Sequence, residues 1–107
     1  MKLNVVLNSR KGTHSATGIY EKDNFTVHKG SRINLDIAQY LKEFEIVKSM
    51  RNDKTVVDEN GIVLKDCTFS SPSTAAQFVT GRSVNGYICW RPDDKMSLRD
   101  YLKSNSE

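Results

Sequence analysis

Near the start of the chain Leu3, Val5 and Leu7 alternate with Lys2, Asn4 and Asn8, the period of a strand with one buried face. A polar, basic loop from Ser9 to Thr13 follows. Ala16–Tyr20 and Phe25–His28 then flank Glu21-Lys22-Asp23-Asn24, which predicts a hairpin with a four-residue polar connection, ended by Gly30-Ser31. From Asp36 to about Met50 the apolar positions change period. Ile37, Tyr40, Leu41, Phe44 and Val47 recur at helical spacing, with Asp36 as the expected N-cap and Gln39 in capping-box position. Asn60-Gly61 between Thr55–Glu59 and Ile62–Asp66 predicts a second hairpin. Beyond it, Ser71 can cap a helix over about Pro72 to Thr80, with proline suited to the first position and Gly81 to a left-handed stop. Asn85-Gly86 reads as a tight turn into a last strand, Tyr87 to Arg91, stopped by Pro92-Asp93-Asp94. Alternation in that strand puts Ile88 and Trp90 on the core face and Tyr87, Cys89 and Arg91 on the other. A short helix is expected from Ser97 to Leu102, with Asp100 completing a capping box.

The expected order is β-β-β-α-β-β-α-β-α. Hairpins separated by helices argue for an α+β fold, a mostly antiparallel sheet with helices packed on one side. With 107 residues there is room for one core, so residues 1–103 are expected to form a single domain and 104–107 a short tail. Apolar runs are too short to cross a membrane, and Met1–Asn8 turns polar too soon for a signal peptide, so the expected location is the cytoplasm. There Cys67 and Cys89 are expected to be reduced, buried thiols.

The net charge is +3, but its distribution is uneven. Between Ser70 and Pro92 there is no carboxylate, while Arg82 and Arg91 are present. The start of the Pro72–Thr80 helix offers free N–H groups beside the hydroxyls of Ser70, Ser71, Ser73 and Thr74. Such a start can hold a phosphate, or the serines can simply cap it. Arg82 can contact a phosphate or complement the negative end of the helix. Tyr87 and Arg91 can form a stacking platform beside a cation, or Tyr87 can cover a small apolar cluster. The basic Arg10-Lys11 loop reads as solvated surface. His14, His28, Cys67 and Cys89 lack paired metal-ligand spacing, and no nucleophile elbow, Walker loop or dinucleotide fingerprint occurs, so neither metal nor cofactor is expected.

Gly12-Thr13-His14-Ser15-Ala16-Thr17-Gly18-Ile19-Tyr20, Phe25–Ser31, and Phe69-Ser70-Ser71-Pro72-Ser73-Thr74-Ala75-Ala76 with Gly81–Gly86 and Trp90 resemble an uncharacterised bacterial domain family. Its members are usually appended to GIY-YIG nucleases, restriction-modification subunits and similar DNA-handling proteins. The latter half is also similar to RAMA-type domains, proposed to read modified DNA. The match runs from Gly12 to Leu98. The resemblance implies a non-enzymatic accessory module that binds nucleic acid weakly or recognises a modified base, with Ser70, Ser71, Ser73, Arg82, Asn85, Tyr87 and Arg91 as the expected contacts. The implied partners are DNA, modified or single-stranded, and a nuclease or methyltransferase protein; no membrane partner is expected. The alternative is a protein-interaction or small-ligand module without DNA contact. Gly18-Ile19-Tyr20 with Arg32 and Glu43 echoes a GIY-YIG nuclease. Its Tyr-Ile-Gly partner is absent and the spacing is short, so cleavage is not expected.

Overall fold

Strand alternation at the N-terminus does fold as a sheet. The computed structural model describes residues 2–22, 24–38, 45–93 and 95–104. Strands β1 (Leu3–Asn8), β2 (Ser15–Glu21), β3 (Asn24–Val27) and β4 (Cys67–Phe69) form a four-stranded antiparallel sheet in the order β1-β2-β3-β4. Helices α1 (Glu45–Asn52), α2 (Pro72–Thr80), α3 (Gly86–Cys89) and α4 (Leu98–Ser104) complete the described elements. The fold class is α+β, as expected from the sequence.

Register explains which face is buried. Val5 pairs with Gly18, Gly18 with Val27 and Val27 with Cys67, while Tyr20 pairs with Phe25 and Phe25 with Phe69. These rows point to one side, where α2 lies against β2, β3 and β4. The core joins them to Val47 of α1, Phe78 and Val79 of α2, Trp90 and Leu98. Phe25 stacks on Trp90 at 4.5 Å between ring centroids, and Phe69 meets Phe78 at 5.2 Å. Gly18 is needed here for space: a Cβ would stand 2.6 Å from the Thr26 carbonyl oxygen and 2.8 Å from the Phe25 ring.

The second helix follows its sequence grammar closely. Ser71 is extended, its Oγ accepts the Thr74 N–H at 3.2 Å, Pro72 opens the helix, and Gly81 ends it at φ 71°. Ser71→Ala is expected to lower stability by about 1 kcal/mol, the usual cost of a lost N-cap, read as a shift in urea midpoint. An unchanged midpoint would show that the cap does not hold α2.

Elsewhere tertiary bonding changed the elements. Asp36 does not cap a helix: Ile37 and Ala38 are non-helical, and Asn34 and Ala38 donate backbone N–H bonds to Val79 and Gly81 at the end of α2. Gln39, Tyr40, Leu41 and Phe44 lie outside the described residues. Val47 is fully buried as its spacing predicted, and α1 runs on to Asn52. The Asn60-Gly61 turn forms, with the Asp58 carboxylate accepting the Asn60 and Ile62 N–H groups and Gly61 at φ 83°. Its arms, however, share only the isolated bridge Val57–Val63. Beyond the two backbone bonds of that bridge, Asp58 to Ile62 and Leu64 to Val56, residues 61–63 bond to residues 30–33, through Gly30 to Val63, Val63 to Ser31 and Ile33 to Gly61.

The expected strand from Tyr87 to Arg91 is the largest correction. Asn85 caps a single helical turn, accepting the Tyr87 N–H at 2.9 Å, so Ile88 points outward at 46% exposure while Trp90 is fully buried. At the first hairpin, β2 and β3 pair as far as Glu21 and Asn24, so the connection is shorter than expected. The last helix starts after Ser97, whose Oγ accepts the Asp100 N–H, and extends to Ser104.

Candidate nucleic-acid interface

The acid-free stretch proves to be tightly joined to itself. Ser73 Oγ accepts the Gly86 N–H at 3.0 Å, and the Trp90 indole N–H donates to the Pro72 carbonyl at 3.1 Å. Gly86 therefore sits against the first turn of α2, and α3 covers one side of the helix start that sequence reasoning offered to phosphate. Ser71 is committed to its cap and Asn85 to the cap of α3. The Arg82 guanidinium is held by Asp36, through an ion pair of 2.9 Å and a bond to its carbonyl. Tyr87 is half-buried, packs against the core and meets Tyr20 edge-on at 6.4 Å. Ser70 is exposed just after β4.

Arg91 is placed differently. It exchanges both backbone hydrogen bonds with Val6, at 2.9 Å each, as an added edge beside β1. Antiparallel partners share a side of the sheet, so Arg91 lies with Val6 on the face away from the helices. No described helix covers that face, and alternation lines it with polar groups. One row across it is Asn4, Ile19, Thr26 and Thr68; the next sets Val6 beside Thr17; a third pairs Asn8 with Ser15 and Ser15 with Arg32.

Hydrogen bonds order these side chains. Thr17 Oγ1 lies 3.1 Å from His28 Nδ1, Thr26 Oγ1 lies 3.4 Å from that of Thr68, and Ser15 donates to Asn8 at 2.6 Å. Arg32 reaches across the Ser9–His14 loop and donates to the Gly12 carbonyl. Burial, then the charges of Arg32 and Arg51, pull His14 below the ordinary histidine value. Glu21 is the only carboxylate among the described strand residues that point this way. The face is thus a hydroxyl and amide surface bracketed by Arg32 and Arg91.

Of the expected nucleic-acid contacts, Arg91 joins this face. Arg32 and His28 were weighed from the sequence only as nuclease-like and metal-ligating residues, and Thr17 entered only within the family resemblance. Their signal was the strand alternation itself, which sets Thr and Asn opposite the buried Val, Leu and Ala. Among the described residues no group of three or more His, Cys, Asp or Glu could hold a metal, and no helix is long and apolar enough to cross a membrane. Burial raises both cysteine thiols above their ordinary values, in keeping with unreactive packing. In the GIY-YIG-like stretch, Gly18 serves the packing of Phe25, and Glu43 lies outside the described residues.

Fold and face together define a small α+β domain with one helix-covered and one uncovered sheet surface. The model of the family described as Domain of unknown function (DUF4357) matches residues 5–102, and the chain belongs to that family. No curated protein and no solved structure matches the chain.

Proposed function

We propose that the chain is a non-enzymatic accessory module that binds nucleic acid weakly through the uncovered face of its sheet. The observation that carries this reading is the surface itself, rows of Thr, Ser and Asn side chains flanked by Arg32 and Arg91, with Glu21 the one acid among the described strand residues that point this way. Hydroxyls, amides and arginines are the usual donors to phosphate oxygens. Every described aromatic residue is buried or half-buried, so the mode of contact is to the backbone rather than by base stacking. The resemblance to domains appended to nucleases and restriction-modification subunits supplies the context, DNA handling beside a nuclease or methyltransferase. Modified-base recognition would then rest with such a partner or with a groove contact at the rim of this face.

Anisotropy titration with a short DNA duplex, methylated or not, tests the proposal at low salt. The expected dissociation constant is on the order of 10⁻⁴–10⁻⁶ M, weakening as salt rises. Arg32→Ala and Arg91→Ala should each lower affinity for all sequences alike and reduce the salt slope by about 1. Binding that is absent at low salt, or unchanged in both variants, would overturn the reading. Dimerisation or a co-purifying protein that protects Val6 and Ile19 would favour the protein-interaction alternative, because these are the apolar positions of the same face.

A further inference from the structure

A second concave site lies away from the sheet. Between α1 and the segments at 33–37 and 54–59 is a cavity of about 390 Å³, within the range of small-molecule sites. Ile33, Ile37 and Val57 give it an apolar wall, and Leu35 stands at it although 62% exposed. Lys48 and Arg51 are three residues apart on α1 and so share a helix face, with Lys54 just beyond. The three cations border the apolar wall.

Arg51 is the informative member. Its Nε donates to the Phe78 carbonyl at 3.0 Å and its Nη2 to that of Val79 at 3.5 Å, both uncharged acceptors. Burial first, then repulsion from Arg82, brings it down to about 10, with Asp36 opposing the change. Among the described residues the ion pair recorded is Arg82 with Asp36, which leaves Arg51, Lys48 and Lys54 without a carboxylate in contact. Neither acid bordering the cavity is in ion-pair contact with them. Asp58 has one carboxylate oxygen committed to the Asn60 and Ile62 N–H groups, and Glu59 is exposed. A partly buried cation whose hydrogen-bond acceptors are uncharged favours an incoming anion.

We propose that this cavity binds a small oxyanion carried on an apolar body, a carboxylate or phosphate monoester whose hydrocarbon lies on Ile33, Ile37 and Val57 and whose acid group meets Lys48, Arg51 and Lys54. The site is separate from the sheet face and does not depend on nucleic-acid binding. Thermal-shift and NMR titrations of the full chain with benzoate, phenyl phosphate, benzamide and inorganic phosphate test it. Benzoate or phenyl phosphate should raise the melting temperature saturably and shift the amides of residues 33–37 and 48–58. Benzamide and inorganic phosphate should do neither. The exposed pair Lys48→Ala with Lys54→Ala should weaken binding at least tenfold, and Leu35→Glu should abolish it by setting a carboxylate at the mouth. Arg51 is left intact because it holds the end of α2. Equal binding of benzamide, or of inorganic phosphate alone, overturns the amphiphilic-anion assignment. No shift with any probe overturns the site.

Discussion

Trp90→Ala is expected to destabilise the domain by about 4 kcal/mol, a large part of the roughly 5–15 kcal/mol that holds small domains folded. The indole is fully buried, stacks on Phe25 at 4.5 Å, and donates its N–H to the Pro72 carbonyl. Its removal leaves a cavity between the Phe25 ring of β3 and the Pro72 carbonyl at the start of α2. Trp90→Phe separates the two contributions. It keeps most of the ring contact and loses the hydrogen bond, so about 1–3 kcal/mol is expected for that variant. Trp90 is the only tryptophan, so unfolding should be followed by circular dichroism. A cost for Trp90→Ala below about 2 kcal/mol would mean that the site relaxes and that the ring is not the anchor described.

Gly86→Ala is expected to cost about 3 kcal/mol, for a different reason. A Cβ at Gly86 would lie 2.2 Å from the carbonyl carbon and oxygen of Pro72 and 2.5 Å from the Ser73 nitrogen. These are backbone atoms, so no rotamer change relieves the clash and α3 must lift from α2. Lifting breaks the Gly86–Ser73 bond and moves Trp90, whose backbone N–H donates to the Gly86 carbonyl at 3.0 Å. Gly12→Ala is the control. Gly12 has φ 75° and nothing within 4 Å of a Cβ, so only left-handed strain of about 1–2 kcal/mol should appear there. Gly86→Ala and Trp90→Ala should be non-additive, because both loosen the same junction. If Gly86→Ala costs no more than Gly12→Ala, the close approach of α3 to α2 is refuted.

That junction also shows where sequence reasoning succeeded. Ser71, Pro72 and Gly81 delimit α2 through backbone geometry and local hydrogen bonds, which a short window contains. Trp90 was correctly assigned to the core, although by a strand alternation that does not exist there. Ile88, given the same face by that alternation, is exposed. The β-prone run Tyr87-Ile88-Cys89 is overridden because Asn85 can cap a helical turn and Ser73 can receive the next N–H, a partner thirteen positions earlier. The candidate contacts had the same fate. Ser71, Ser73, Arg82 and Asn85 carry donors and acceptors that suit a ligand, and the fold gives each an internal partner. The Thr55–Asp66 segment was legible as a turn but not as a non-strand, because the competing edge at residues 30–33 is distant in sequence.

By itself the sequence determined the α+β class, the three N-terminal strands, the capped and glycine-stopped α2, the Asn60-Gly61 turn and the start of α4. These rest on period, capping and φ preference, all local properties. Only the tertiary structure decided that the acid-free stretch closes on itself, that Arg91 joins the edge of β1 beside the open face, and that cations on α1 border an apolar cavity. The physical reason is that a side chain's availability depends on which distant backbone groups compete for it. Ser73, Arg82 and Arg91 look alike as polar surface in the sequence, yet their neighbours Gly86, Asp36 and Val6 give them different roles.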